Sequence, residues 1–154
     1  MAKFKFSLDA LLRVNELRKK QAEGEYAKAQ RELDIQLAAL SELVNGYRSV
    51  TSDMEHLAAN GTTARHMELY ASYSGLLQRR IKSQEQVVTQ ARSNLDSIKA
   101  RLIDLVRKVN VLSEMKDRQY YQYRLELEKR YQKVVDEYAG YKIYRQGGPI
   151  NGEE

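Results

Sequence analysis

The chain holds two histidines, His56 and His66, and both stand among carboxylates: Asp53 and Glu55 beside the first, Glu68 beside the second. Imidazoles and carboxylates brought face to face could hold a divalent cation. A supported site needs three or four ligands fixed by further hydrogen bonds, which two solvated imidazoles do not supply. No metal site is therefore expected. Cysteine is absent, which excludes disulfides, thiol nucleophiles and cysteine-ligated metals. No glycine-rich phosphate loop, nucleophile elbow or zinc-protease motif occurs either. Catalytic residues and cofactors are expected to be none, and the chain is read as a non-enzyme. The chemistry left to it is contact chemistry. Seven of the eleven tyrosines (Tyr120, Tyr121, Tyr123, Tyr131, Tyr138, Tyr141 and Tyr144) lie close together near the C-terminus. A tyrosine ring offers a large apolar surface with one polar end, which suits interfaces that are wet when unoccupied.

The elements that position these residues are helices. The single proline, Pro149, lies in the tail, and strong helix formers dominate the 154 residues. Ser7 is read as an N-cap, Asp9 suits the positive end of the helix dipole, and Phe6 and Leu11 have the spacing of a hydrophobic staple. From Tyr26, alternating steps of three and four reach Ala29, Leu33, Gln36, Leu40, Leu43, Tyr47, Val50, Met54 and Leu57. Only Gln36 is polar, and this 3.5-residue period indicates a coiled-coil seam. Carried backwards, the register meets Lys19 and Asn15 before Leu12 and Leu8, so a less firmly zipped N-terminal portion is expected.

Residues 59–64 form the one strong internal break. Asn60 or Gly61 can take the left-handed conformation, and Thr62 or Thr63 can cap the following helix. A second seam then runs through Met67, Tyr70, Ser74, Leu77, Ile81, Gln84, Val88, Ala91, Leu95, Ile98, Leu102, Leu105, Val109 and Leu112. It loses register near Lys116 and resumes out of phase at Tyr120, Leu127, Tyr131, Val134, Tyr138 and Tyr141. A hairpin turning near residue 62 pairs residues whose numbers sum to about 124, so a helix starting near residue 8 ends opposite residue 116. The seam fails where its partner runs out. The predicted fold is all-α: a long antiparallel two-helix coiled coil, with helix 1 about 7–58, a turn over 59–64 and helix 2 about 65–145. Helix 2 extends beyond helix 1 by about 45 Å at 1.5 Å per residue, and its tyrosine stripe is read as a docking site for another protein, with folding back or dimerisation through the stripe as the alternative. The hairpin forms one domain over 1–145, and residues 146–154 are expected to be disordered. Gly46 and Gly75, whose numbers also suit cross-pairing, are expected to mark a close approach or a bend.

The formal charge of +5 is uneven: residues 1–31 carry +4, residues 32–75 carry −4 and residues 76–118 carry +5. Basic residues alternate with acidic ones and form no dense run, so nucleic acid is not an expected partner, although a basic coiled coil that binds it is a rival reading. No apolar run approaches a membrane span, and the N-terminus lacks the apolar stretch of a secretory signal. A soluble, cytoplasmic protein is expected.

The opening stretch Phe4-Lys-Phe-Ser-Leu-Asp-Ala-Leu-Leu-Arg-Val14, followed by Glu- and Ala-rich heptads, resembles the N-terminal signature of the flagellar FliJ family. Tyr47-Arg-Ser, Asp53-Met54, the Asn-Gly tip and Tyr70, Tyr73, Leu77 and Ile81 resemble the same family around its hairpin. The resemblance spans residues 4–145. It implies a component of the flagellar type III export apparatus, similar in shape to the central stalk of rotary ATPases. The implied partners are the export ATPase FliI with FliH, the cytoplasmic domain of the export gate FlhA, and export chaperones. The implied location is cytoplasmic, peripheral to the inner face of the cell membrane at the flagellar base. Positions matching the family's gate-binding surface are Gln36, Leu40, Leu43, Tyr47, Tyr73, Leu77, Arg80 and Gln84, of which Arg80 and Gln84 depart in residue type. By analogy the free ends face the ATPase, with Tyr120, Tyr131, Tyr138 and Tyr141 as the contact residues, so that truncation after Lys116 removes ATPase association. The stalk of a virulence type III secretion system and a generic coiled-coil tether are the other readings.

Overall fold

The structure, a computed structural model, describes residues 3–147. Two helices account for nearly all of them: α1, Asp9–Asn60, and α2, Ala64–Gln146. They pack antiparallel as a two-helix coiled coil in which α2 outruns α1, the fold class read from the heptads. The expected disordered tail includes Gln146, the last residue of α2, and Gly147; its remaining residues, 148–154, lie outside those described. The chain divides into two units, Glu16–Val106 and Met1–Asn15 with Arg107–Glu154, and each helix contributes to both.

In the Glu16–Val106 unit the connection is three residues long, Gly61, Thr62 and Thr63. Gly61 ends α1 with φ at +82°, the left-handed conformation that glycine adopts without Cβ strain. Thr63 starts α2. Its hydroxyl oxygen accepts the backbone N–H of His66 at 3.3 Å, and its carbonyl accepts the N–H groups of His66 and Met67 at 3.1 and 3.2 Å. Every seam position from Tyr26 to Leu57 and from Met67 to Leu105 is buried or half-buried, with Ala29, Leu33, Val50, Leu77, Val88 and Leu105 at the core. The pairs Glu25 with Arg101, Gln36 with Gln84 and Tyr47 with Gln78 join the helices, and each pair's residue numbers sum close to the expected 124.

Gly46 and Gly75 mark no close approach. A Cβ added at either would meet no atom within 4 Å. Both lie inside helices, where glycine costs backbone entropy without any packing return here. Gly46→Ala and Gly75→Ala are each expected to stabilise the fold by about 0.5–1 kcal/mol, read as a raised urea midpoint at unchanged slope.

In the other unit, Phe6, Leu12, Val109 and Leu112 form a buried cluster, with Phe4 and Leu8 packed against it. Here α1 starts one step later than the sequence suggests. Leu12 N–H bonds to the Leu8 carbonyl at 2.9 Å, which makes Leu8 the cap rather than Ser7. A tight turn, closed by Asp9 N–H on the Phe6 carbonyl at 3.2 Å, carries the Phe6 ring into the cluster. Burying a phenylalanine is worth about 1.5–3 kcal/mol, against about 1 kcal/mol for a serine cap, so the ring decides the geometry. For the same reason Leu12 meets Phe6, while Leu11 is 49% exposed and forms no staple. Nor is the N-terminal portion loosely zipped: Asn15 is 6% exposed and donates its amide to the Leu11 carbonyl at 2.9 Å. That bond satisfies the side chain within its own helix and lets a polar residue occupy the seam.

Candidate docking surfaces

The eight mid-hairpin positions all lie in the Glu16–Val106 unit, four on each helix. They do not form one surface. Gln36 and Gln84, the polar exceptions of the two seams, face each other. The Gln84 amide donates to Gln36 Oε1 at 2.7 Å and to the Gln36 carbonyl at 3.1 Å, while the Gln36 amide donates to Glu32 at 2.7 Å. A slip of either helix would leave these half-buried amides unpaired, so the pair fixes register much as a buried asparagine does in a parallel coil. Tyr47 is held in the same way, its hydroxyl accepting the Gln78 amide at 2.8 Å. Leu40 and Leu43 are half-buried seam residues, and Leu77 is only 4% exposed. Tyr73, 50% exposed, and Arg80 turn outward.

Two residues absent from the sequence-based set stand beside Tyr73. Leu69 and Leu76 are both exposed, and with Tyr73 they form an apolar strip at steps of four and three, next to the seam. The signal was in the sequence as a second apolar face on α2, wider than a coiled-coil seam needs. A shallow groove lined by Val50, Asp53, Leu69, Tyr70 and Tyr73 runs along this strip. The His66 ring stands edge-on to Tyr70 at 6.0 Å. Among the described residues, no group of three or more His, Cys, Asp or Glu side chains is placed to hold a metal ion.

The tyrosine set belongs to the other unit. Tyr120 differs from the rest: its ring makes a T-shaped contact with Phe4 at 5.3 Å, and Tyr123 lies 5.6 Å from the same ring. Phe4, ahead of α1, thus caps the end of the seam. Tyr131, Tyr138 and Tyr141 are exposed, the latter two at 71% and 63%, and Tyr138, Tyr141, Lys142, Arg145 and Gln146 border an open groove.

The start of the seam is held by charge. Asp9 accepts from Lys116 Nζ and from Arg13, each at 2.9 Å. The Lys116 hydrogen bond is the main cause that holds the Asp9 carboxyl below the ordinary 3.8, with Arg13 adding to it. A lowered carboxylate pKa stabilises the fold above the unfolded-state value and loses that contribution as pH falls through the folded value. The pair should therefore be intact at neutral pH and weaken below about pH 4. An NMR titration of Asp9 is expected to show a midpoint below 3.8 that rises in Lys116→Met.

Among the described residues, no helix is long and apolar enough to cross a membrane. The model of the family described as flagellar FliJ protein matches residues 4–148. A search of curated proteins found no match. Among solved structures, a YscO homologue from Chlamydia trachomatis aligns with a TM-score of 0.50 and 16% identity, over 94% of this chain and 91% of that one. At that identity the likeness is one of fold.

Proposed function

The chain belongs to the flagellar FliJ family, and on that premise we propose that it is a non-enzymatic stalk of the flagellar type III export apparatus. In this reading it links the export ATPase FliI, held with FliH, to the cytoplasmic domain of the gate FlhA. It works in the cytoplasm, at the inner face of the membrane only through those partners. The observation that carries the reading is the asymmetry of the two helices. α1 begins where Asp9 meets Lys116, and α2 continues for about 30 residues beyond that point as a tyrosine-faced helix, a length well suited to insertion into a ring.

The two partners take different surfaces. Tyr131, Tyr138 and Tyr141 engage the ATPase, and Tyr120 supports them through its contact with Phe4. Tyr73 and Arg80, joined by Leu69 and Leu76, contact the gate. Gln36, Leu40, Leu43, Tyr47, Leu77 and Gln84 hold the coil that presents them. The deciding experiment is sedimentation of the purified full chain with the ATPase and, separately, with the gate's cytoplasmic domain. Co-sedimentation with each is the expected result, and failure with both removes the stalk reading. A deletion strain that keeps swimming would remove the flagellar assignment.

A further inference from the structure

The last turns of α2 gather aromatic and basic side chains on one side. Tyr138, Tyr141, Lys142 and Arg145 border an open groove, with Gln146 at its end. The two tyrosines are 71% and 63% exposed, and the two cations are exposed beside them. Lys142 and Arg145 stand three residues apart on the helix, a spacing at which like charges repel. Neither has an acidic residue three or four positions away, and neither makes an ion pair among the described residues. The groove therefore joins apolar surface to two uncompensated positive charges. We propose that in the unbound protein it is covered by the chain's own C-terminal segment, residues 148–154. Glu153 and Glu154 pair with Lys142 and Arg145, and Ile150 rests on the tyrosine rings.

The point where the segment leaves the helix, its reach and its charge all favour this occupant. Gly147 is still on the helical path, its N–H bonded to the Ile143 carbonyl at 3.0 Å. The helix cannot run on through Gly148-Pro149, because proline lacks an N–H and disfavours the helical conformation in the residue before it. Seven residues reach at most about 24 Å. Tyr138 lies about 12 Å back along the axis from Gln146, so the segment can reverse and still lie along the groove. The groove beside Phe4, Lys5 and Lys116 is about 45 Å from the helix end, beyond its reach. The segment, Gly-Pro-Ile-Asn-Gly-Glu-Glu, carries two acidic residues and no basic one. Exposed ion pairs are individually weak, but a short tether holds these glutamates at an effective concentration of about a millimolar or more.

One consequence rests on the ATPase reading above. Tyr138 and Tyr141 are then screened until the ATPase displaces the segment, and the displacing surface must bring acidic groups to Lys142 and Arg145. The segment lowers the affinity of every partner by the fraction of time it occupies the groove, and partners without such groups fail to displace it. Occupancy of the groove by the segment does not itself rest on that reading.

The chain lacks cysteine, so a nitroxide attached through Gly152→Cys marks this segment alone. In the full-length protein it should broaden the ring NMR signals of Tyr138 and Tyr141. The broadening should fall when Glu153→Lys and Glu154→Lys are added, and in about 1 M salt, where the Debye length is about 3 Å. Equal broadening with and without the two glutamates overturns the proposal. Broadening passed from a spin-labelled copy to an isotope-labelled second copy also overturns it, since the cover then comes from another chain. Removing residues 148–154 should tighten ATPase association about three- to fivefold at low salt, and unchanged affinity overturns the screening. Failure of both the full and the shortened chain to bind the ATPase strikes the contact reading and leaves the relaxation result standing.

Discussion

Ending the chain after Glu128 is expected to abolish association with the export ATPase while leaving the hairpin folded. Residues 129–146 are helical and exposed throughout, so their removal takes nothing from either helix's buried seam. They carry Tyr131, Tyr138 and Tyr141, which would form the apolar centre of the ATPase contact. Interfaces concentrate their energy in a few buried aromatic and arginine side chains, and losing several at once should weaken binding at least a hundredfold, about 2.7 kcal/mol. A cut after Lys116, suggested by the register alone, is the poorer experiment. It would also remove Tyr120 and Tyr123, on which Phe4 rests, and Leu127, which is half-buried. A lost interaction could then reflect a loosened N-terminal cluster. With the later cut, circular dichroism should fall only in proportion to the helix removed. Undiminished ATPase binding by that truncated chain would take the contact away from these tyrosines.

The second large effect separates packing from contact within the mid-hairpin set. Leu77→Ala should lower stability by about 2–4 kcal/mol, because Leu77 is 4% exposed in the seam and a two-helix coil can partly collapse around the cavity. Tyr73→Ala, four residues earlier and half exposed, should change stability by less than about 0.5 kcal/mol. Gate binding should show the opposite pattern. Tyr73→Ala weakens it at full helicity, whereas Leu77→Ala weakens it only at temperatures where the coil has begun to melt. Urea unfolding of both variants, followed by titration with the gate's cytoplasmic domain, gives the two readouts. An unchanged unfolding midpoint for Leu77→Ala would show that the seam does not depend on this side chain.

These two residues illustrate how far a periodic sequence carries. The heptads identify Leu77 as a seam residue and Tyr73 as lying off it, since 3.5-residue spacing is a local property of one helix. The resemblance places both on one binding surface, and burial then divides them. Leu69 and Leu76 lie off the 3.5-residue seam, on a second apolar face that the seam's spacing does not mark. Gln36 and Gln84 were visible as interruptions, one in each seam, but nothing local to either says that they meet. The start of α1 is set non-locally for a related reason. Ser7 has the chemistry of a cap, yet the place where the helix begins is set by the Phe6 ring and its partners Val109 and Leu112, about a hundred residues along the chain.

The sequence by itself determined that this chain makes two long helices, where they turn and where the first runs out along the second. Each of these follows from spacing, helix propensity or the backbone freedom of a single residue such as Gly61. Only the tertiary structure decided which side chains are spent on holding the coil and which remain for a partner. That division depends on register across the hairpin, where the Gln36–Gln84 pair and the Asp9–Lys116 pair each join residues distant in sequence. Periodicity shows which face is covered. The matching of one helix to the other shows what covers it, and leaves Tyr138 and Tyr141 in the open.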